Sequence, residues 1–225
     1  MSMHLQHEIE AIKNRLRSLV ATAKEAVERA VQSVDERDVA LAKQVIDGDM
    51  VLDQAEVGLE EDCLKILALH QPVATNLRVI VSVMKMNSDM ERIGDLAVNI
   101  AERTLFLCSQ PPIAVPSDLA KLRVKALAML TGSVDALVQL DTQLAREIRT
   151  ADDEVDELNR QLFKEFFAAV RKDPEQVEGL LSYLSVGRHL ERIADYATNI
   201  AEDVIYLMEG EIVRHKPNVP GSCRE

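Results

Sequence analysis

From Leu5 onward, apolar residues recur at Ile9, Ile12, Leu16, Leu19, Ala23, Val27, Ala30 and Val34. Steps of three and four place them on one stripe, which predicts a first helix to about Val34. Asp38 is positioned to cap a second helix with the stripe Ala42, Ile46, Leu52, Leu59 and Ile66. That helix ends near His70-Gln71-Pro72, because the residue before a proline is pushed out of α geometry. Thr75 is read as the cap of a third helix, Leu77 to about Leu107, and the proline-rich stretch from Ser109 to Pro116 as a linker. Ser117 is read as the cap of a fourth helix to about Leu140, and Asp141 as that of a fifth to about Arg171. Asp173-Pro174-Glu175 opens a sixth reaching about Glu211. Residues 212–225 show no periodicity and are expected to form a mobile tail.

The six helices fall into two similar halves. Met90 to Glu102 matches Leu190 to Glu202 at nine of thirteen positions, at a constant offset of 100 residues. Upstream, Asp49-x-x-x-Asp53 corresponds to Asp152-x-x-x-Asp156 at an offset of 103. The chain therefore reads as a duplicated unit, residues 1–110 and 117–211. Short connections between helices of roughly 45 Å favour antiparallel neighbours, so each half is expected to be an up-down-up bundle and the fold all-α, two tandem three-helix bundles. Composition agrees: aromatics are 3% of the 225 residues and Trp is absent, which suits aliphatic helix packing more than a sheet.

Charge narrows the partners. A net charge of -12 repels nucleic-acid phosphates and anionic lipid, leaving cations and basic protein surfaces as natural partners. Cys63, Cys108 and Cys223 are odd in number and lack a Cys-x-x-Cys pair, and read as free thiols in a reducing compartment. The N-terminus has no apolar h-region and no run of 18 apolar residues occurs, so a cytoplasmic protein is expected.

Candidate chemistry lies in the repeated segments. Glu91, Asp95, Asn99 and Glu102 share one helix face, and Glu191, Asp195, Asn199 and Glu202 repeat the pattern, with Asp203 adjoining. This face lies nearly opposite Met86, Met90, Ile93, Ala97 and Ile100 and is expected to point away from the bundle's core. One such stripe reads as a solvated helix face. However, Glu91–Asp95 and Glu191–Asp195 are like-charge i,i+4 pairs costing roughly 0.2–0.5 kcal/mol each, and the same cost recurs in both halves. Asp49 and Asp53, with Glu56 and Glu60, give a third stripe that antiparallel packing would bring alongside; Asp152 and Asp156 give a fourth, which Arg160 is placed to neutralise in part. Oxygen ligands without His or Cys suit hard ions such as Mg, Mn, Ca or oxidised iron.

Other chemistry finds less support. None of the five histidines follows a glutamate in the Glu-x-x-His spacing of dinuclear carboxylate enzymes, and His189 reads as a surface residue. His-Glu-x-x-His, phosphate-cradling glycine loops and Gly-x-Ser-x-Gly are absent, so no enzyme is expected. Arg92 and Arg192 either hold an ion pair between bundles or solvate the flank. Phe163, Phe166, Phe167 and Val170 read as core, and Gly94 and Ala194 as points of close helix approach.

The doubled Glu-Arg-Ile-x-Asp-x-Ala-x-Asn-Ile-Ala-Glu segment, each copy preceded by Asp-x-x-x-Asp, closely resembles the PhoU family of phosphate-signalling regulators. The resemblance spans the chain to about Glu211. It implies a pair of three-helix bundles carrying multinuclear metal clusters (Fe, Mn, Mg or Zn) on Asp49, Asp53, Glu91, Asp95, Asp152, Asp156, Glu191 and Asp195, with Asn99 and Asn199 as weaker ligands. It further implies a negative regulator of the phosphate-starvation response and of phosphate uptake. The partners implied are a sensor histidine kinase of PhoR type, a phosphate ABC transporter ATPase of PstB type and a second copy in a homodimer, with the membrane reached only through partners. A metal-buffering or storage protein and a metal-free helical adaptor remain the rival readings.

Overall fold

Two aspartates, Asp38 and Asp141, turn the chain in the same way, 103 residues apart. Each follows a residue in the left-handed region, Arg37 at φ 52° and Leu140 at φ 56°. Asp38 N–H donates back to the Ser33 carbonyl and Asp141 N–H to that of Ala136, both at 2.9 Å. This six-to-one bond closes the preceding helix. Each carboxylate then accepts the first free N–H groups of the next helix: Ala40 and Leu41 on Asp38, Gln143 and Leu144 on Asp141. Duplication is thus visible in the corners as well as in the stripes.

In a computed structural model describing residues 3–214, six α-helices follow: α1 Met3–Glu36, α2 Val39–His70, α3 Ala74–Ser109, α4 Ser117–Gln139, α5 Thr142–Lys172 and α6 Val177–Glu209. A single 3-10 turn, Pro174–Gln176, leads into α6, with Asp173 accepting from Glu175 N–H. Two expected caps are not made. Thr75 lies inside α3, which the chain enters through Val73 with no side-chain cap. Ser117 begins α4 but does not cap it; Glu165, on α5, accepts from the Ser117 and Asp118 N–H groups at 2.9 and 3.0 Å. That cap is supplied by tertiary packing, from 48 residues away. α6 stops at Gly210, whose φ of 75° closes the helix without a Cβ clash.

α1–α3 form one bundle and α4–α6 the other, joined by α3 lying on α6 and by an Arg123–Asp35 ion pair. Within each bundle successive helices are antiparallel. As α2 advances from Leu52 to Glu56, its α3 neighbours retreat from Gly94 to Asn87. One apolar cluster runs through both bundles, including Leu52, Leu59, Ile93, Ile100, Leu162, Ile193 and Ile200.

α3 and α6 also cross antiparallel. Lys85, early in α3, lies 3.6 Å from Asp203, late in α6, and over the ring of Tyr206. Arg103, late in α3, acts in turn on His189, early in α6. The halves are therefore related by an approximate two-fold through this seam. The 100-residue offset pairs Asp89 with His189. Burial and then Asp203 push Asp89 up to about 7, whereas burial and then three arginines push His189 down to about 4. His189 is consequently not the surface residue expected. It is half-buried, its Nε2 3.3 Å from Ser185 Oγ and its Nδ1 buried without a hydrogen bond.

The aromatic group on α5 is only partly core: Phe166 is buried, while Phe167 stacks edge-on against it and is 56% exposed. Of the tail, Val213 is buried, its carbonyl accepts from Arg149, and Arg214 reaches Asp203 at 3.2 Å. The remainder, with His215 and Cys223, lies outside the described residues. Cys63 and Cys108 are free thiols. No described helix is long and apolar enough to cross a membrane.

Candidate metal-binding faces

Antiparallel packing of α2 on α3 sets Asp49 and Asp53 beside Glu91 and Asp95. The approach is closest at Gly94, where an added Cβ would lie 3.1 Å from Leu52 and 3.3 Å from Asp49 Oδ1. The absent side chain lets the α2 carboxylate reach the α3 pair. Asp49 has its pKa raised by burial and then by Asp53, Asp95 and Glu91; Glu91 is raised by burial and then Asp95, against Arg92. Glu56 extends the face, raised by burial and by Glu60, Glu91 and Asp53, and Asn87 donates to it at 2.9 Å. Arg92 lies 3.3 Å from Glu91 and 3.5 Å from Asp95 on the same helix, so it flanks the acids and does not join the bundles.

The second face repeats the arrangement on α5 and α6 with Asp152, Asp156, Glu191 and Asp195. Burial, followed by Glu191, Asp152 and Asp156, pushes Asp195 up to about 7, with Arg192 opposing. Asp152 is raised by burial and Asp156, while Thr198 donates to it at 3.3 Å. Glu191 is raised by burial and Asp156, with Asn159 hydrogen-bonded to it. Arg160 does not neutralise this face: it turns outward to Glu157, 3.0 Å away.

Both sets of four predicted carboxylates are therefore assembled, each within its own half, along a seam between two helices, with Asp53 and Asp195 exposed and the other six half-buried. Asn99 and Asn199 sit half-buried one turn beyond Asp95 and Asp195. Glu102 and Glu202 part company. Glu102 is exposed, whereas Glu202 is buried against Arg149 at 3.2 Å, with Arg214 at 3.8 Å. Asn87, Thr198 and Asn159 brace the acids but were not legible beforehand, because an amide or hydroxyl beside an acidic stripe has no distinctive spacing. Carboxylates crowded until they hold protons more tightly than usual are a donor set that a hard cation fits.

Two stretches, residues 16–104 and 119–204, match the family described as the PhoU domain. A "phosphate-specific transport system accessory protein PhoU homolog" of Aquifex aeolicus (strain VF5) is 40% identical over 95% of this chain and 97% of its own. The crystal structure of PhoU from Pseudomonas aeruginosa superposes with a TM-score of 0.88 at 32% identity, covering 92% of this chain and 99% of that one. That of the phosphate transport system regulatory protein PhoU from Streptococcus pneumoniae gives 0.85 at 29%, covering 93% and 99%.

Proposed function

This chain belongs to the PhoU family, and we propose that it is an accessory regulator of phosphate transport that represses the phosphate-starvation response and phosphate uptake. The observation that carries this reading is end-to-end similarity, through both repeats, to relatives named as phosphate-specific transport system accessory proteins. The chain contacts a PstB-type ATPase of the transporter and a PhoR-type sensor kinase at their cytoplasmic surfaces, and pairs with a second copy of itself. Its effect is a population shift: a surface that binds one state of the kinase better than another biases output without chemistry by this chain. The net charge of -12 favours basic docking surfaces.

Asp49, Asp53, Glu91 and Asp95 hold one metal cluster and Asp152, Asp156, Glu191 and Asp195 the other, with Asn99 and Asn199 at the margins. A cluster bound there supplies positive charge that offsets the burial and the mutual repulsion that raise the acids' pKa values. The carboxylates displace their protons to bind it, so uptake weakens as pH falls.

The test is a phosphate-starvation reporter in phosphate-rich medium, in a strain lacking the gene. Output should rise on deletion and fall when the gene is restored; output unmoved by deletion sinks the regulatory reading. Restoring a variant carrying Glu91→Gln, Asp95→Asn, Glu191→Gln and Asp195→Asn asks whether the faces matter. Elemental analysis of the same variant should show loss of metal, and retained metal would refute the ligand assignment.

A further inference from the structure

The acidic faces leave unexplained a cluster at the opposite level of the first bundle, where α1 begins and α2 ends. His4 and Glu8 stand four residues apart on one face of α1, and His70 is the last residue of α2. Gln71, in the left-handed region at φ 44°, stops α2 at that point and fixes His70 against α1. Glu8 is placed between two imidazoles: its Oε1 lies 3.5 Å from His4 Nε2 and its Oε2 2.6 Å from His70 Nε2. The rings of His4 and His70 meet edge to face, 5.6 Å between centres. One ligand atom from each of the three lies within 4.8 Å of the others, and among the described residues this is the one such group of three.

An ordinary histidine–glutamate ion pair, His70 with Glu8 at 2.6 Å, is the competing explanation, and the titration below separates the two. Glu8 Oε2 and His70 Nε2 are both buried and face each other closely, yet neither has a hydrogen-bond partner. Buried polar atoms call for a partner, and a metal ion held by both groups would supply one. Two imidazoles and a carboxylate converging from two helices match the ligand types of a three-residue zinc site, with a fourth position left open. His4 is 70% exposed at the side chain, so that position faces solvent.

We propose that His4, Glu8 and His70 form a binding site for a borderline divalent cation of the Zn2+ or Co2+ class, chemically distinct from the all-oxygen faces. Nitrogen donors select such ions, whereas carboxylate sets suit harder ones, so one chain would sort two classes of metal. Bound metal ties the start of α1 to the end of α2, and its open position accepts water or a ligand from outside.

The test uses the full chain without a histidine tag, stripped with chelator and titrated with Co2+ alone. Imidazole-bound Co2+ in a four-coordinate site gives strong visible bands; an all-oxygen octahedral site gives weak ones. The expected result is one strongly absorbing equivalent, displaced by Zn2+, that persists in His7→Ala and in the face variant described above. His70→Gln and His4→Ala should each weaken binding by at least about tenfold, since one of three ligands is lost. His4→Ala alters a mostly exposed side chain, so its failure to bind is not a failure to fold. Absence of the bands in the unaltered chain, or their persistence in both variants, overturns the site. Retained binding after loss of both faces also separates this result from the fate of the proposed function.

Discussion

The two acidic faces carry the same carboxylates at the same spacing, and they differ in how firmly their surroundings hold them. On α2 and α3 the helices close over Gly94, Arg92 lies across the α3 pair, and Glu102 ends the row in solvent. On α5 and α6 the level of Gly94 carries Ala194, Thr198 and Asn159 hold individual acids, and Glu202 is locked under Arg149 and Arg214. A repeated motif therefore sets which groups are present, while the unrepeated neighbours set their charge. Arg149, Asn159 and Thr198 stand where the first half has Ile46, Glu56 and Val98, so the firmer grip traces to differences between the copies outside the repeated acids.

The largest expected effect breaks that grip. Arg149→Ala leaves Glu202 buried with Arg214 alone and should cost about 3 kcal/mol in urea unfolding, whereas Glu102→Ala should change stability by under about 0.5 kcal/mol. Equal costs would mean that the faces do not differ as described.

A smaller effect sharpens the electrostatic contrast. With Asp195 and Asp89 pushed from 3.8 to about 7, the folded chain keeps protons that the unfolded chain releases. Their stabilising contribution is present below pH 3.8 and is lost as pH rises through about 7. In metal-free buffer, part of the fall in unfolding midpoint across that window should vanish in Asp195→Asn. A fall left intact by Asp195→Asn and Asp89→Asn together would place the neutral titration elsewhere.

The smallest effect compares the two corners. Leu140 occupies a left-handed position that glycine fills more easily, so Leu140→Gly should stabilise by about 0.5–1 kcal/mol in thermal unfolding. Arg37→Gly at the twin corner should not, because the Arg37 guanidinium caps α3 at the Leu107 and Gln110 carbonyls.

What the sequence disclosed follows this division between repeated and unrepeated features. Asp38 and Asp141 cap the helices that follow them, so local order reveals them. Glu165 caps α4 from another helix, and no local pattern at Ser117 announces it. The acidic quartets were legible because their like charges recur at helical spacing in both copies. The burial of His189 was not, since it depends on how one bundle lies on the other. His4, Glu8 and His70 escaped because two of them share a helix and the third is 62 positions further along the chain.

The antiparallel crossing of α3 and α6 makes each half the roof of the other. A three-helix unit made alone would leave the apolar flank of its last helix wet, and its nearest remedy would be a second unit of the same shape, turned end for end. The tandem chain carries that remedy as its own continuation, at an effective concentration no separate partner could match. Duplication here is a dimer written on one strand, and its two copies were then free to drift apart in charge while remaining obliged to fit.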